Sequence, residues 1–364
     1  MSRIRPKHRA LSRTALPILL LALAMGPAAV AGDAYKDVLN DAFQAYKALK
    51  VGKNADRIPA LAKADPNLYG LAIVTVTGGV YEAGAARAEF PIESIAKVFT
   101  MARAIEVLGP EIVRQRVGVN ATGLPFNSEL AVALFKGNHP AGNPLVNAGA
   151  ITTVDLLPAT TSMEKWSDIL NTYSSFAGRR LALSEPVYRS SIDANTHDRA
   201  LVNLLKNYDV IKGDPMEALD IFTRAGAVTV SARDLAAMGA TLANGGRNPL
   251  TRHQVVSPET ARHAVAMMAT AGLFETTGEW IYRVGVPAKG GAGGGIVAVV
   301  PGRFAIGVYS PPLDETGTSA RGAKAIDLIV RRLGANLFAS RPVAGAATPH
   351  AAATSKPGST TAAK

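Results

Sequence analysis

Two β-hairpin patterns lie near opposite ends of the chain, separated by a long stretch of different character. The first spans residues 71–83 around a Gly-Gly turn, and the second spans 296–309 around a Pro-Gly turn. Strands contributed by both ends of a chain can meet in one antiparallel sheet. A doubly wound parallel sheet would need regular alternation of strands and helices, which this sequence lacks.

Helical patterns fill most of the remaining chain. One is predicted over about 33–50 and another over about 319–337, so the first and last helices can cover one face of the sheet. The middle, about 120–270, is mostly helical and is predicted to form a second lobe. The predicted fold class is therefore α+β, with an antiparallel sheet flanked by helices and a mainly helical lobe.

Three helix starts in the middle segment carry capping signals. Ser231 is followed three residues later by Asp234, and Ser257 is followed by proline at the first helical position. Ser162 precedes a charged, solvated first turn that includes Lys165, so we interpret it as a helix cap although its spacing to the lysine has a chemical meaning elsewhere.

Length and composition exclude several classes of protein. The chain has 364 residues, of which 48% are hydrophobic and 18% charged, and it contains no cysteine. It can build a sizeable core and is neither a disordered chain nor a disulfide-stapled miniprotein. Without cysteine it has no thiolate zinc site, no iron–sulfur cluster and no cysteine nucleophile. The six histidines show no ligand-like spacing, and we predict no metal site.

The net charge of +11 arises at the chain ends. Residues 1–31 and 340–364 hold eight of the 39 basic residues and none of the 28 acidic ones, which leaves 31 basic against 28 acidic residues between them. A body this close to neutral has no electrostatic reason to bind phosphate backbones. We therefore expect no nucleic-acid partner.

The N-terminus is typical of an export signal. Five basic residues precede an apolar run that begins at Leu16 and leads to small residues ending at Ala31. A membrane-anchoring helix is the alternative, but the run is shorter than the ~20 residues that a span requires. We predict a signal peptide over residues 1–31, cleavage after Ala31, a periplasmic or secreted protein, and no membrane attachment after cleavage.

The rest of the chain divides into one domain and a tail. Residues 32–339 contain no internal repeat, long linker or charge block, so they are predicted to form one globular unit. Residues 340–364 are rich in Ala, Thr, Ser and Pro and lack apolar periodicity. Such a segment cannot bury enough surface to offset its chain entropy and is predicted to be a disordered tail.

A serine and a lysine stand three residues apart at the head of a long apolar helix. Ser94 and Lys97 would lie on one helix face, within reach of each other. A lysine can activate a serine as a nucleophile when burial lowers the pKa of its amine, and the helix N-terminus favours developing negative charge. Serine–lysine pairs of this spacing occur in β-lactamases and penicillin-binding proteins.

A glycine-rich turn, Lys289-Gly-Gly-Ala292-Gly-Gly-Gly295, comes immediately before the second hairpin. Its glycines allow backbone N–H groups to approach a substrate oxygen closely, as in the third signature of the same enzyme class. The alternative is a flexible turn without chemistry. Elsewhere Glu275 and Glu279 are interpreted as solvated side chains rather than a glycosidase pair.

Together these motifs resemble the serine-dependent glutaminases, over about residues 34–338. Besides the Ser94/Lys97 pair, the resemblance is carried by Ile58-Pro59-x-Leu61-Ala62, Asn143-Pro-Leu-Val-Asn147-Ala-Gly-Ala-Ile151, Ala240-Thr-Leu-Ala-Asn-Gly-Gly246, Gly285-x-Pro287-Ala288-Lys289, Gly294-Gly-Ile-x-Ala-Val-Val-Pro301 and Ser310-Pro-Pro-Leu-Asp-Glu315.

The resemblance implies a β-lactamase-like fold, as in penicillin-binding proteins, and hydrolysis of L-glutamine to L-glutamate and ammonia without a metal or organic cofactor. Residues 32–339 would be the glutaminase-like domain. Carried over to matching positions, it makes Ser94 the nucleophile, Lys97 its activating base and Asn147 a substrate contact. The backbone amides of Ser94 and Ala292 would form the oxyanion hole. The resemblance also implies a homo-oligomer.

The chain departs from the family at positions that the resemblance assigns to glutamine contacts. These positions hold Arg57, Ser191, Asp198, Phe222 and Phe274, where the family has a tyrosine, a glutamate, an asparagine and two tyrosines. Hydrogen bonds to charged groups are worth about 1.5–3 kcal/mol each, so the changes bear directly on specificity.

Three interpretations follow from the departures. In the first, Arg57 holds the substrate carboxylate, Asp198 takes the ammonium, and hydrolysis of glutamine or a related amide survives. In the second, the chain is a catalytically weak amino-acid-binding homologue. In the third, it is a hydrolase for another amide or ester, such as a penicillin-recognising enzyme.

Overall fold

A computed structural model describes residues 27–135 and 141–340, with side chains from residue 34 onward. The predicted signal peptide up to residue 26 and the predicted tail from residue 341 lie outside the described residues, as do His8, His139 and His350. Among the residues that are described, no helix combines the length and apolar character needed to cross a membrane.

The strands of the described residues form two antiparallel sheets. In chain order they are β1 (Gly70–Thr75), β2 (Val80–Gly84), β3 (Phe90–Pro91), β4 (Ala182–Leu183), β5 (Val228–Val230), β6 (Ala288–Gly290), β7 (Gly295–Val300) and β8 (Phe304–Tyr309).

The helices dominate the middle of the chain, as expected. They are α1 (Pro27–Tyr46), α2 (Pro59–Ala62), α3 (Ala96–Leu108), α4 (Pro110–Arg116), α5 (Glu129–Leu134), α6 (Asn147–Leu156), α7 (Ser162–Ala177), α8 (Glu185–Ala194), α9 (Thr196–Asn207), α10 (Pro215–Gly226), α11 (Ala232–Ala243), α12 (Pro258–Ala271), α13 (Thr277–Arg283) and α14 (Ala320–Arg332).

The larger sheet joins the two ends of the chain. Its strand order is β2-β1-β8-β7-β6, so the first hairpin pairs with the second through β1 and β8. In that pairing Ile73 lies opposite Ile306. The predicted meeting of strands from both ends in one antiparallel sheet is confirmed.

Helices cover both faces of this sheet. On one face, Leu39 of α1 and Ile326 of α14 share a buried apolar cluster with Ile73 of β1, as predicted for the first and last helices. On the other face α11 lies so close to β8 that a Cβ at Gly307 would come within 1.9 Å of the Ala232 carbonyl oxygen. Only glycine permits this approach.

The helical lobe is built around α3, which packs against α6, α7 and α12. The first seven residues of α3, from Ala96 to Ala102, are all buried, so this helix lies inside the lobe rather than on its surface. The small sheet β3-β5-β4 lies at its N-terminal end, where Phe90 pairs with Val230. Strand β3 of this sheet lies directly before the turn that leads into α3.

Helix boundaries differ from the sequence expectations in three places. The first helix begins at Pro27, so the predicted cleavage point after Ala31 falls within α1. The last helix ends at Arg332, where the Arg303 guanidinium donates to the Leu333 and Gly334 carbonyls that follow it.

The third difference concerns α7. Its cap is Thr161 rather than Ser162, because the Thr161 hydroxyl and the Glu164 carboxylate form a reciprocal capping box. The predicted caps Ser231 and Ser257 are both confirmed.

Candidate active site

Ser94 lies in a short 3-10 turn, Glu93–Ile95, between β3 and α3. Glu93 enters this turn with φ of 51°, a left-handed conformation that costs a residue with a side chain about 1–2 kcal/mol. Phe274, across the same cavity, also has a positive φ, of 56°. Strained backbone of this kind concentrates at functional sites because the surrounding structure must hold it there.

The glycine-rich turn packs directly onto the Ser94 turn. A Cβ at Gly291 would come within 2.8 Å of the Ile92 carbonyl oxygen, so glycine is required for the contact. Ala292 and Ser94 line the same cavity, and within the described residues neither backbone N–H donates to a protein acceptor. Both donors are therefore available to an oxygen in the cavity.

Lys97 is buried on the first turn of α3, with 3% of its surface exposed. Its Nζ donates a 2.6 Å hydrogen bond to Oδ1 of Asn147. Three aromatic rings surround the amine at 5.4–5.7 Å from Nζ to the ring centroid: those of Phe126, Phe222 and Phe274. An amine in such surroundings has lost most of its water.

Burial lowers the pKa of Lys97 to about 7. Desolvation is the main cause, because the charged form is disfavoured away from water. The carboxylates of Asp198 and Glu93 oppose the shift, and the Arg57 guanidinium adds to it. The sequence-based prediction required an amine that is substantially uncharged near neutral pH, and the environment of Lys97 supplies one.

Asn147 connects Lys97 to a second buried charge. It is the first residue of α6, and its Nδ2 donates a 2.8 Å hydrogen bond to Oδ1 of Asp198 on α9. The other Asp198 oxygen lies 3.9 Å from the guanidinium of Arg57, whose side chain is half exposed. Four side chains from four separate segments thus form one continuous polar row.

Glu93 is a cavity-lining residue that the sequence analysis did not identify. Burial raises the pKa of its carboxyl to about 7, and the opposing influences are Lys97 and Arg57. An acid that precedes a helix is ordinarily a solvated first-turn residue. The sequence feature that could have identified Glu93 is its position between the end of a strand and the start of an apolar helix.

These residues line a cavity of about 270 Å³. All four predicted site residues line it, namely Ser94, Lys97, Asn147 and Ala292. The residues at the departing positions line it as well: Arg57, Ser191, Asp198, Phe222 and Phe274. Phe126, which lies in an irregular segment, also lines the cavity and was missed.

Two tyrosines near the departing positions in sequence do not line the cavity. The Tyr188 hydroxyl donates to the Asp220 carboxylate, and Tyr282 is 92% exposed. Neither replaces the phenols that Phe222 and Phe274 lack. Within the described residues there is also no group of three or more His, Asp or Glu side chains arranged to hold a metal ion.

Lys289 of β6 is a second buried lysine beside the site. Its Nζ donates a 2.7 Å hydrogen bond to the Gly290 carbonyl and lies 4.0 Å from the ring centroid of Phe274. Burial lowers the pKa of this amine well below its ordinary value, and the charge of Lys97 lowers it further. The Lys289 amine thus bonds within its own strand, directly before the glycine-rich turn.

The chain is similar to glutaminases in both sequence and structure. The family profile described as Glutaminase matches residues 52–338. The chain is 48% identical to a glutaminase of Colwellia psychrerythraea over 303 residues, which cover 83% of this chain and 97% of the relative. The structure of probable glutaminase ybaS matches with a TM-score of 0.83 at 42% identity, over 85% of this chain and 99% of the other.

A further solved structure, Mglu in its glutamate form, matches with a TM-score of 0.79 at 34% identity, over 85% of this chain and 70% of the other. The resemblance and the α+β, β-lactamase-like fold class inferred from the sequence are confirmed. The match spans most of the chain and includes every residue placed in the cavity, and on this evidence the protein belongs to the glutaminase family.

Proposed function

We propose that the protein hydrolyses L-glutamine to L-glutamate and ammonia through an acyl-enzyme on Ser94. The observation that carries the proposal is the buried Lys97 amine, whose pKa of about 7 leaves about half of it uncharged at neutral pH in the cavity that also holds Ser94. Family membership and the similarity to Mglu in its glutamate form support glutamine as the substrate.

The acylation step uses one proton acceptor and two backbone donors. Lys97 accepts the hydroxyl proton of Ser94 while Oγ attacks the side-chain amide carbon of glutamine. The carbonyl oxygen becomes an oxyanion that the N–H groups of Ser94 and Ala292 stabilise. Lys97 then returns the proton to the amide nitrogen, the C–N bond breaks, and ammonia leaves a glutamyl ester on Ser94.

Deacylation reverses the roles with water as the nucleophile. Lys97 takes a proton from water, and the hydroxide adds to the ester carbonyl to form a second oxyanion. When that intermediate collapses, the proton passes from Lys97 to Oγ of Ser94 and glutamate is released. The step balances without a metal or redox group.

Recognition of the amino-acid end would fall to charged residues at the departing positions. Arg57 offers a guanidinium fork for the substrate carboxylate. Glu93 and Asp198 are the acidic side chains lining the described part of the cavity, and Asp198 was the sequence-based choice for the ammonium. Apolar contacts would come from Phe222 and Phe274.

A catalytically weak binding homologue is the second candidate. It is favoured by the aromatic rings of Phe222 and Phe274, which bring no hydroxyl to a cavity where the resemblance implies two. We also propose export to the periplasm or the medium through the predicted signal peptide, and assembly as a homo-oligomer, which the resemblance implies.

The deciding experiment follows ammonia release from glutamine by the purified protein and by Ser94→Ala. The matched control is Ser162→Ala, because exposed Ser162 has the same spacing to a lysine but lies on α7, outside the cavity. The proposal expects release by the wild type and the control and none by Ser94→Ala. Equal, background-level ammonia release by all three proteins would contradict the proposal and favour the binding homologue.

A further inference from the structure

We propose that Asp198 is a positioning residue for the reaction: it holds the Asn147 side chain in the orientation that keeps Lys97 able to accept a proton. The proposal rests on the proposed function, in which Lys97 is the base for Ser94. It assigns Asp198 a role that acts through Asn147 rather than through the substrate.

The direction of the Asn147 amide follows from the chemistry of its partners. A carboxylate only accepts hydrogen bonds, so the atom of Asn147 that lies 2.8 Å from Oδ1 of Asp198 must be the NH₂ group. The carbonyl Oδ1 then faces Nζ of Lys97, at 2.6 Å. Asp198 thus removes the ambiguity that an isolated side-chain amide would have.

The opposite orientation would block catalysis. An uncharged amine has one lone pair, and that lone pair must receive the proton of Ser94. If the Asn147 amide turned over, its NH₂ would donate into the lone pair and occupy it. With Oδ1 facing Lys97, the amine donates to Asn147 instead, and the lone pair stays free.

Burial keeps these three side chains hydrogen-bonded to one another. Lys97, Asn147 and Asp198 are exposed by only 3%, 4% and 2%. Water cannot readily replace either hydrogen bond, and an unsatisfied polar group at this depth is costly. The three residues lie on α3, α6 and α9, so the row also links three helices of the lobe.

The charge of Asp198 has a separate effect that experiment can read. The charged groups around the Lys97 amine are Asp198 from α9, Glu93 before α3, Arg57 before α2 and Lys289 from β6. Burial lowers the pKa of Lys97, and the Asp198 carboxylate is the largest influence that raises it. Removing this charge should lower the pKa of Lys97.

Two substitutions separate the hydrogen bond from the charge. Asp198→Ala removes the acceptor of the Asn147 NH₂ group, and kcat should fall about ten-fold to a hundred-fold because Lys97, which can both donate and accept when uncharged, does not fix the amide orientation by itself. Asp198→Asn keeps the shape but not the charge, and the pH at which kcat/KM reaches half its maximum should move to lower pH. Asp234→Asn is the control, since Asp234 is equally buried but caps α11 away from the cavity; it should lose stability without moving the pH profile.

A substrate without the amino group distinguishes positioning from ammonium binding. Both effects should persist when 4-carbamoylbutanoate, which is glutamine without its α-amino group, replaces glutamine. If the Asp198 variants change only KM for glutamine and behave as wild type with 4-carbamoylbutanoate, Asp198 binds the ammonium and the positioning role is wrong.

Direct titration of Lys97 keeps this test independent of turnover. In protein with ¹³C-labelled lysine, assigned with Lys97→Met, the Cε resonance of Lys97 should titrate at lower pH in Asp198→Asn than in the wild type. A moved titration alone shows only that the charge of Asp198 acts on Lys97, so the Asn147 side-chain NH₂ protons, which donate to Asp198, are followed as well. They should exchange faster in Asp198→Ala than in the wild type, and equal exchange would overturn the proposal even if the enzyme is active. Should the variants not fold, the wild-type Asn147 side-chain NH₂ protons must be protected from exchange, and rapid exchange would overturn it.

Discussion

The dependence of activity on pH follows from the burial of one amine. In the proposed mechanism Lys97 can act as a base only when uncharged, and burial lowers its pKa from 10.5 to about 7. The difference corresponds to roughly 5 kcal/mol of disfavoured charge at about 1.36 kcal/mol per pH unit. We therefore expect kcat/KM to rise with pH and to reach half its maximum near pH 7, with about a tenth of the maximum at pH 6 and about nine-tenths at pH 8.

The assay is ammonia release measured at fixed times in buffers from pH 5 to pH 10, quenched before detection so that no coupling enzyme is exposed to the varied pH. Lys97→Met is the control: it should lower activity by about 10²–10⁴-fold above pH 8, where the wild-type amine is uncharged, and it should lose the rise in activity near pH 7. A half-maximum above pH 9 would mean that the lysine titrates as an ordinary solvated amine, and the reasoning from burial would be refuted.

The stability of the folded protein should also rise with pH, because the same amine is buried. Between pH 7 and pH 10.5 the unfolded chain binds a proton at Lys97 that the folded protein does not, so this residue makes the wild type more stable as pH rises through that window. Below pH 7 the folded protein bears the full free-energy cost of burying the charged Lys97 amine. Lys97→Met should therefore melt at a higher temperature than the wild type at pH 7, and the difference should shrink towards pH 10. A difference independent of pH would contradict the assignment.

Three further outcomes are expected. Arg57→Gln should raise KM for glutamine about ten-fold to a hundred-fold with little change in kcat, because one charged hydrogen bond is worth about 1.5–3 kcal/mol; unchanged affinity would defeat the carboxylate role. Gly291→Ala should lower kcat, since its Cβ would meet the Ile92 carbonyl at 2.8 Å and displace the turn, whereas Gly278→Ala in an open helical position should leave kcat unchanged. Ser231→Ala should cost about 0.5–2 kcal/mol of unfolding free energy in urea titrations without altering the pH profile, because it removes the capping box of α11.

The parts of the fold that depend on local chemistry could be predicted from sequence. The turn residues predicted the hairpins, and capping residues such as Ser231 predicted where helices begin, because each signal acts within a few residues. The predicted Ser94/Lys97 pair was of this local kind, and the structure places both side chains on one cavity.

Contacts between distant segments could not be predicted in the same way. Asn147 and Asp198 are separated by 51 residues and lie on two helices whose patterns carry no information about each other. Phe126 belongs to a segment without periodicity, and Glu93 has the sequence context of a solvated acid. In each case the chemistry comes from burial, which only the assembled lobe creates.

Trapping of the acyl-enzyme would show whether Ser94 is the nucleophile. Wild-type protein mixed with glutamine in the presence of hydroxylamine, then rapidly denatured, should yield γ-glutamyl hydroxamate in solution and, without hydroxylamine, a peptide containing Ser94 that carries one glutamyl group by mass spectrometry. Ser94→Ala should yield neither. Ammonia released by the wild type at the same rate as by Ser94→Ala, with no modified peptide, would contradict the account.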